Sequence, residues 1–190
     1  MAKKKNWYDY LWVASSLYLI LGFFNILFTW LGLICFLVPL IMSFTGGEKG
    51  YCNRYCGRGQ LLSIIGKRYS WNLPIPKWIY SKAFRYGFLT FFLVMFFQML
   101  FSSYLVFAGT NSLKEVVTLL WSFSLPWSFA SSSAPVANWV KQFAFGFYSV
   151  MLTSTSLGLI TMFLFRPRTW CVYCPMGTMT QLICKAKYKE

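Results

Sequence analysis

An all-α integral membrane protein is what this sequence predicts, with four transmembrane helices arranged as two tandem hairpins, each followed by a cytoplasmic cysteine motif. Three observations carry that reading. The chain of 190 residues is 57% hydrophobic and only 12% charged, outside the range of ordinary soluble domains. Its apolar residues come in runs long enough to cross a bilayer, and its basic residues collect in the segments between those runs. The formal charge of +14, four acids and no histidine also exclude chemistry. Bis-histidine haem, histidine zinc sites, Ser-His-Asp or Cys-His catalysis and buried carboxylate proton relays all lack their residues.

The first apolar stretch, Leu11 to Phe44, holds 34 residues. As one helix it would measure about 50 Å at a rise of about 1.5 Å per residue, too long for one upright span. Two spans folded back on each other fit better, with the turn near Gly22 to Asn25, while Pro39 is tolerated as a kink. One long tilted helix is the alternative on pattern alone. Tyr86 to Ala108 and Gln142 to Phe165 are uninterrupted spans without a charge. The hydroxyls of Thr153 to Ser156 are expected to bond back to their own helix or to a neighbour. Between these spans lies a Ser-rich loop from Gly109 to Lys141, in which Ser112 to Phe123 is expected to form a short interfacial helix. Trp7, Trp30, Trp78, Trp121, Trp127, Trp139 and Trp170 fall near predicted span ends, where amphipathic rings favour the headgroup layer. No cleavable signal peptide is expected, because no small-residue cleavage site follows a short apolar core.

Charge decides between the two readings of the first stretch. Sixteen of the eighteen basic residues lie in the N-terminal tail, in the loop from Thr45 to Arg85 and in the C-terminal tail, leaving Lys114 and Lys141 for the other loop. Basic segments stay cytoplasmic, so the chain must cross the membrane an even number of times between Lys5 and Lys49. That requires a hairpin, four spans and both termini cytoplasmic, in the cytoplasmic (inner) membrane. The same charges suit anionic lipid headgroups. Nucleic acid is not an expected partner, since no nucleic-acid motif accompanies them.

The chemistry is expected at cysteine. Cys52 and Cys56 form one motif, Cys171 and Cys174 the other, and the predicted topology puts both on the cytoplasmic face. Four thiolates meeting at one surface suit an iron–sulfur cluster or zinc, and a disulfide is disfavoured in a reducing compartment. The motifs are imperfect copies: setting Cys56 on Cys174, 118 residues on, aligns Gly59 with Gly177 and Lys67 with Lys185. The chain thus reads as a single membrane domain, 1–190, in two halves, 1–85 and 86–190, each donating two sulfurs. Gly57, Gly59 and Gly177 allow backbone amides close to sulfur. Pro175 suits the first position of a short helix running to about Lys185. Cys35 reads as a packing residue inside a span, and Cys184 lies apart from both motifs.

On Cys52, Cys56, Gly59, Cys171, Cys174, Pro175 and Gly177 the chain resembles the [4Fe-4S] binding-domain membrane proteins. That group includes the membrane quinol-dehydrogenase subunit of periplasmic nitrate reductase systems and the membrane domain of nitrous-oxide-reductase accessory proteins. Members carry Cys-x3-Cys-Pro in both copies; here Gly57 stands in place of the first proline, and Cys171 and Cys174 are separated by two residues. The resemblance implies an electron-transfer subunit rather than a complete enzyme. It would connect a quinone pool or membrane redox subunit with a soluble ferredoxin, flavoprotein or reductase. Its cofactor would be a [4Fe-4S] cluster on the four cysteines, with [2Fe-2S] or zinc as alternatives on the same donors. A zinc-binding structural or assembly subunit, and a small transporter subunit, are the competing functional classes.

Overall fold

The computed structural model describes residues 7–46, 55–120, 122–127, 129 and 136–187. These are mostly helical. A 3-10 turn at Trp7–Tyr10 leads into α1 (Leu11–Phe24), and a second 3-10 segment, Ile26–Leu31, leads into α2 (Gly32–Gly46). After α3 (Gly57–Tyr69) and a 3-10 turn at Lys77–Tyr80 come α4 (Lys82–Phe107), strands β1 (Val116–Leu119) and β2 (Phe123–Pro126), and α5 (Asn138–Leu164). The single turn α6 (Trp170–Tyr173) and α7 (Pro175–Lys187) complete the order.

Three segments are long and apolar enough to cross a membrane: Ile26–Thr45, Lys82–Phe107 and Asn138–Leu164. The first apolar stretch is not one continuous helix. It breaks at Asn25, which is extended at φ −144° and ψ 117° and accepts a hydrogen bond from the Leu27 N–H through its own side chain at 3.0 Å. A short polar side chain that replaces a backbone partner is what lets a helix stop there. With 14 residues, α1 measures about 21 Å, less than the roughly 30 Å of a bilayer's hydrocarbon. Ile34, Leu37, Ile41 and Phe44 on α2, and Phe97, Phe101 and Tyr104 on α4, are exposed at spacings of three and four. In water such stripes would seek a partner; against acyl chains they are already solvated.

The chain divides into two compact units, each drawing on separate stretches of the sequence. One gathers Met1–Leu17, Ile34–Leu89 and Leu157–Glu190. Its core is Leu62, Ile79, Met162, Trp170 and Tyr173. Phe88 meets Trp170 and Tyr173 edge-on at 5.7 and 5.1 Å, the arrangement that ring quadrupoles favour. Helix α3 approaches the end of α5 most closely at Gly66, where a Cβ would stand 2.7 Å from Met162 Cγ and 2.9 Å from Pro167 Cα. Beyond α3 the chain runs along the C-terminal end of α5. There the Trp71 and Leu73 N–H groups donate to the carbonyls of Phe163 and Leu164 at 2.9 and 3.3 Å, and the Ser70 hydroxyl donates to that of Phe165. The carbonyls a helix leaves unpaired at its end are thereby satisfied without water.

The other unit gathers Tyr18–Leu33 and Thr90–Ser156, around Ile26, Val117, Ala144, Phe145 and Tyr148. Here the expected interfacial helix over Ser112 to Phe123 gives way to a β-hairpin, with Val116 opposite Pro126 and Leu119 opposite Phe123. Two features favour the strands, one local and one distant. Val116, Val117 and Thr118 are consecutive β-branched residues, which suit a strand. In addition, α5 offers hydroxyls to the hairpin's free amides: the Thr118 N–H donates to Ser149 Oγ at 3.0 Å and the Leu120 N–H to Thr153 Oγ1 at 3.4 Å. Ser154 and Thr155 instead donate back to the Met151 carbonyl at 2.9 and 2.8 Å. Ser149→Ala is expected to cost about 1–2 kcal/mol, because it strands the Thr118 amide. Faster hydrogen exchange at that amide is the direct measurement, and unchanged exchange would show that Ser149 is not its partner.

Candidate metal centre

The two cysteine motifs end in the same local device. Cys56 is the N-cap of α3, at φ −75° and ψ 95°, and its carbonyl accepts from the Gln60 N–H at 3.1 Å. Cys174, at φ −51° and ψ 127°, closes α6, and its carbonyl accepts from the Thr178 N–H at 2.9 Å. Pro175 opens α7, where a missing N–H costs nothing. The two following helices, α3 and α7, open at Gly57 and Pro175. These openings are displaced by the 118 residues that separate Cys56 from Cys174. Helix α7 runs through the expected Lys185 to Lys187, where the described residues end.

Gly59 lies beside two of the sulfurs. Its N–H donates to Cys56 Sγ at 3.4 Å. A Cβ on Gly59 would stand 3.5 Å from Cys56 Sγ and 3.7 Å from Cys171 Sγ, so one cysteine of each motif lies beside the same glycine. Cys174 also acts on Cys56. Burial pushes the Cys56 thiol up most strongly and the neighbouring Cys174 adds to that, while the Gly59 amide and the Arg58 guanidinium pull it down. Cys35 contributes a further, smaller upward push, so it lies within electrostatic reach of Cys56 although its position inside a span marked it only for packing. No spacing in the sequence could have signalled that proximity. Tyr173, between the second pair of cysteines, is pushed up to about 12, first by burial and then by Cys174, against a hydrogen bond to Thr161 Oγ1 at 3.1 Å. Its ring is a wall of the site and stays neutral at physiological pH.

Cys184 has a different setting. Its sulfur lies 3.3 Å from Ser43 Oγ, which donates to the Thr180 carbonyl at 3.0 Å. That ties α7 to α2. Of the four cysteines expected to act together, Cys56, Cys171 and Cys174 are described and Cys52 lies outside the described residues. Among the described residues no three His, Cys, Asp or Glu side chains stand close enough together to hold a metal ion.

No protein-family model, curated protein or solved structure matches this chain. What the site can do must therefore be argued from its own groups. Soft thiolate donors suit an iron–sulfur cluster or zinc, and the cradle at Gly59 is bounded by two of them. A larger side chain would occupy that cradle. Were these thiolates to hold a metal, Gly59→Leu would remove it, whereas Gly59→Ala, whose methyl makes only ordinary contacts, would retain it; metal analysis of the two purified variants is the check. Equal metal content in both would place the ion elsewhere.

Proposed function

We propose that this protein is a membrane-embedded iron–sulfur electron-transfer protein, allied to the [4Fe-4S] binding-domain membrane proteins it resembles. Cys52, Cys56, Cys171 and Cys174 are its ligands. The observation that carries this reading is that the sulfurs of Cys56 and Cys171, 115 residues apart, both lie within 3.7 Å of where a Cβ on Gly59 would stand. A further support is the repeated construction, in which the second cysteine of each motif stands immediately before the first residue of a helix. Four membrane crossings, with α1 and its preceding 3-10 turn as the shortest, bring all the basic segments to the cytoplasmic side together with both termini. The break at Asn25 supports that arrangement.

A cluster bound on these thiolates supplies a one-electron relay. The chain's own residues set its surroundings. The Gly59 N–H donates to a ligand sulfur, Arg58 lowers the cost of negative charge on Cys56, and Tyr173 excludes water beside Cys174. With no histidine and four acids in the sequence, proton handling falls to partners. Those partners are a quinone pool or membrane redox subunit and a soluble ferredoxin, flavoprotein or reductase. Anaerobic purification followed by iron and acid-labile sulfide analysis tests the reading. A brown protein that dithionite bleaches supports it; a colourless protein holding zinc, or one that takes up no iron on reconstitution, overturns it.

A further inference from the structure

In the unit that carries the cysteines, one guanidinium has no counter-charge among the described residues. Arg85 stands in the first turn of α4, half-buried, and its Nη2 donates to the side-chain carbonyl of Gln181 on α7, an uncharged partner. Its Nε is buried and has no hydrogen-bond partner. A buried donor without an acceptor keeps its desolvation cost, and that cost is larger when the donor is charged. The helix adds to the imbalance. Its N-terminal end is the positive pole and favours carboxylates, yet the first turn of α4 holds Lys82 and Arg85 and no acid. Lys67 and Arg68, by contrast, stand in the last turn of α3, where unpaired helix carbonyls favour a cation.

What collects around the Arg85–Gln181 contact is more positive charge. Lys82 precedes Arg85 by three residues on α4 and Lys185 follows Gln181 by four on α7, and side chains at those spacings are neighbours on a helix surface. Both lysines are exposed. The described residues of this unit carry ten lysines and arginines against one acid, Asp9, which lies in the turn before α1. The partner such a group calls for is an anion with several acceptor oxygens, and a phosphate matches the forked donors of arginine. Depth chooses its source. Arg85 immediately precedes Tyr86, where the charge-free run of α4 begins, and Trp78, Tyr80 and Tyr86 are exposed. Amphipathic rings at a span end belong to the headgroup layer, which is where lipid phosphates stand. A zwitterionic headgroup also offers a phosphate, but its ammonium would face Lys82 and Lys185 rather than a carboxylate.

We propose that Arg85, Lys82 and Lys185, with Gln181 orienting the guanidinium, form a binding site for the phosphate of an anionic phospholipid at the end of the α4 span. The site does not depend on the iron–sulfur reading. The full chain, purified in detergent, is titrated in mixed micelles with phosphatidylglycerol, reading the thermal midpoint and, by native mass spectrometry, the lipid that stays bound. The midpoint should rise and saturate as phosphatidylglycerol is retained, while phosphatidylcholine and inorganic phosphate at matched concentration leave it in place. Arg85→Gln should weaken half-saturation by about tenfold. Arg85→Lys should weaken it less, since it keeps the charge and loses the fork. Arg68→Gln, an equal loss of charge from an exposed position on α3, should leave it unchanged. Lys185→Gln, also at an exposed position, should weaken it by about fivefold and carries the test if the Arg85 variants do not fold. Equal weakening by Arg68→Gln and the site variants would mean diffuse attraction to a basic surface. An equal response to inorganic phosphate would mean a free-anion site, and an equal response to phosphatidylcholine, or a midpoint that never saturates, would mean general solvation by lipid. Any of these outcomes overturns the inference.

Discussion

Cys171→Ser is expected to strip the protein of iron, from about 4 atoms per chain for a [4Fe-4S] centre to below about one, with loss of the visible absorption that dithionite bleaches. A serine hydroxyl keeps the size of the thiol but stays protonated and hard, so it does not replace a soft thiolate on iron. Cys171 is solvent-exposed and contributes little to packing, so the variant should fold like wild type. Cys184→Ser is the matched control, since Cys184 is engaged with Ser43 on α2 and not with Gly59. Cys35→Ser is the more demanding one. Its thiol lies within electrostatic reach of Cys56, but it belongs to neither repeated motif, and iron should be retained. Iron and sulfide analysis of the three variants decides the matter. Equal loss in all of them would mean a general collapse of the unit, and loss in Cys35→Ser alone would make Cys35 a ligand in place of Cys171.

The parts of this protein that could be read from sequence are those in which one physical demand dominates. Long uncharged apolar runs reach from Tyr86 to Ala108 and from Gln142 to Phe165, and the helices found there begin four residues earlier, because Lys82 and Lys141 at the ends do not interrupt a helix. The break near Asn25 was legible because Asn replaces its own backbone partners. Helix α3 was far less so: Gly57, Gly59 and Gly66 weaken helix propensity, and only its likeness to the segment after Cys174 pointed to it. The β-hairpin was missed because its amides are satisfied by Ser149 and Thr153, more than 30 residues away in the chain, and no local pattern reports such a pairing. The nearness of Cys35 to Cys56 is a tertiary fact of the same kind.

The departure at Gly57 has a steric cause, and it yields the second large prediction. Where the second motif continues with Pro175, the first continues with glycine, although proline is favoured at the opening position of a helix. A Cβ at Gly57 would stand 2.5 Å from the carbonyl oxygen of Leu11 and 2.5 Å from Ser15 Oγ. The serine can rotate away; the carbonyl belongs to the backbone of α1 and cannot, so α1 and the start of α3 must separate. Gly57→Ala is therefore expected to destabilise the protein by about 1–3 kcal/mol through overpacking, more than the roughly 1 kcal/mol that alanine's better helix propensity returns. Gly57→Pro, which would make the first motif match the second, should cost at least as much, because proline carries the same Cβ. Since Cys56 is the N-cap immediately before the clash, both variants should also lose iron, while Gly59→Ala, two residues further on, keeps it. Thermal midpoints and iron content read the two effects separately. A Gly57→Pro protein with wild-type values for both would show that α1 does not press on the helix that presents Cys56, and the missing proline would then be left without a structural reason.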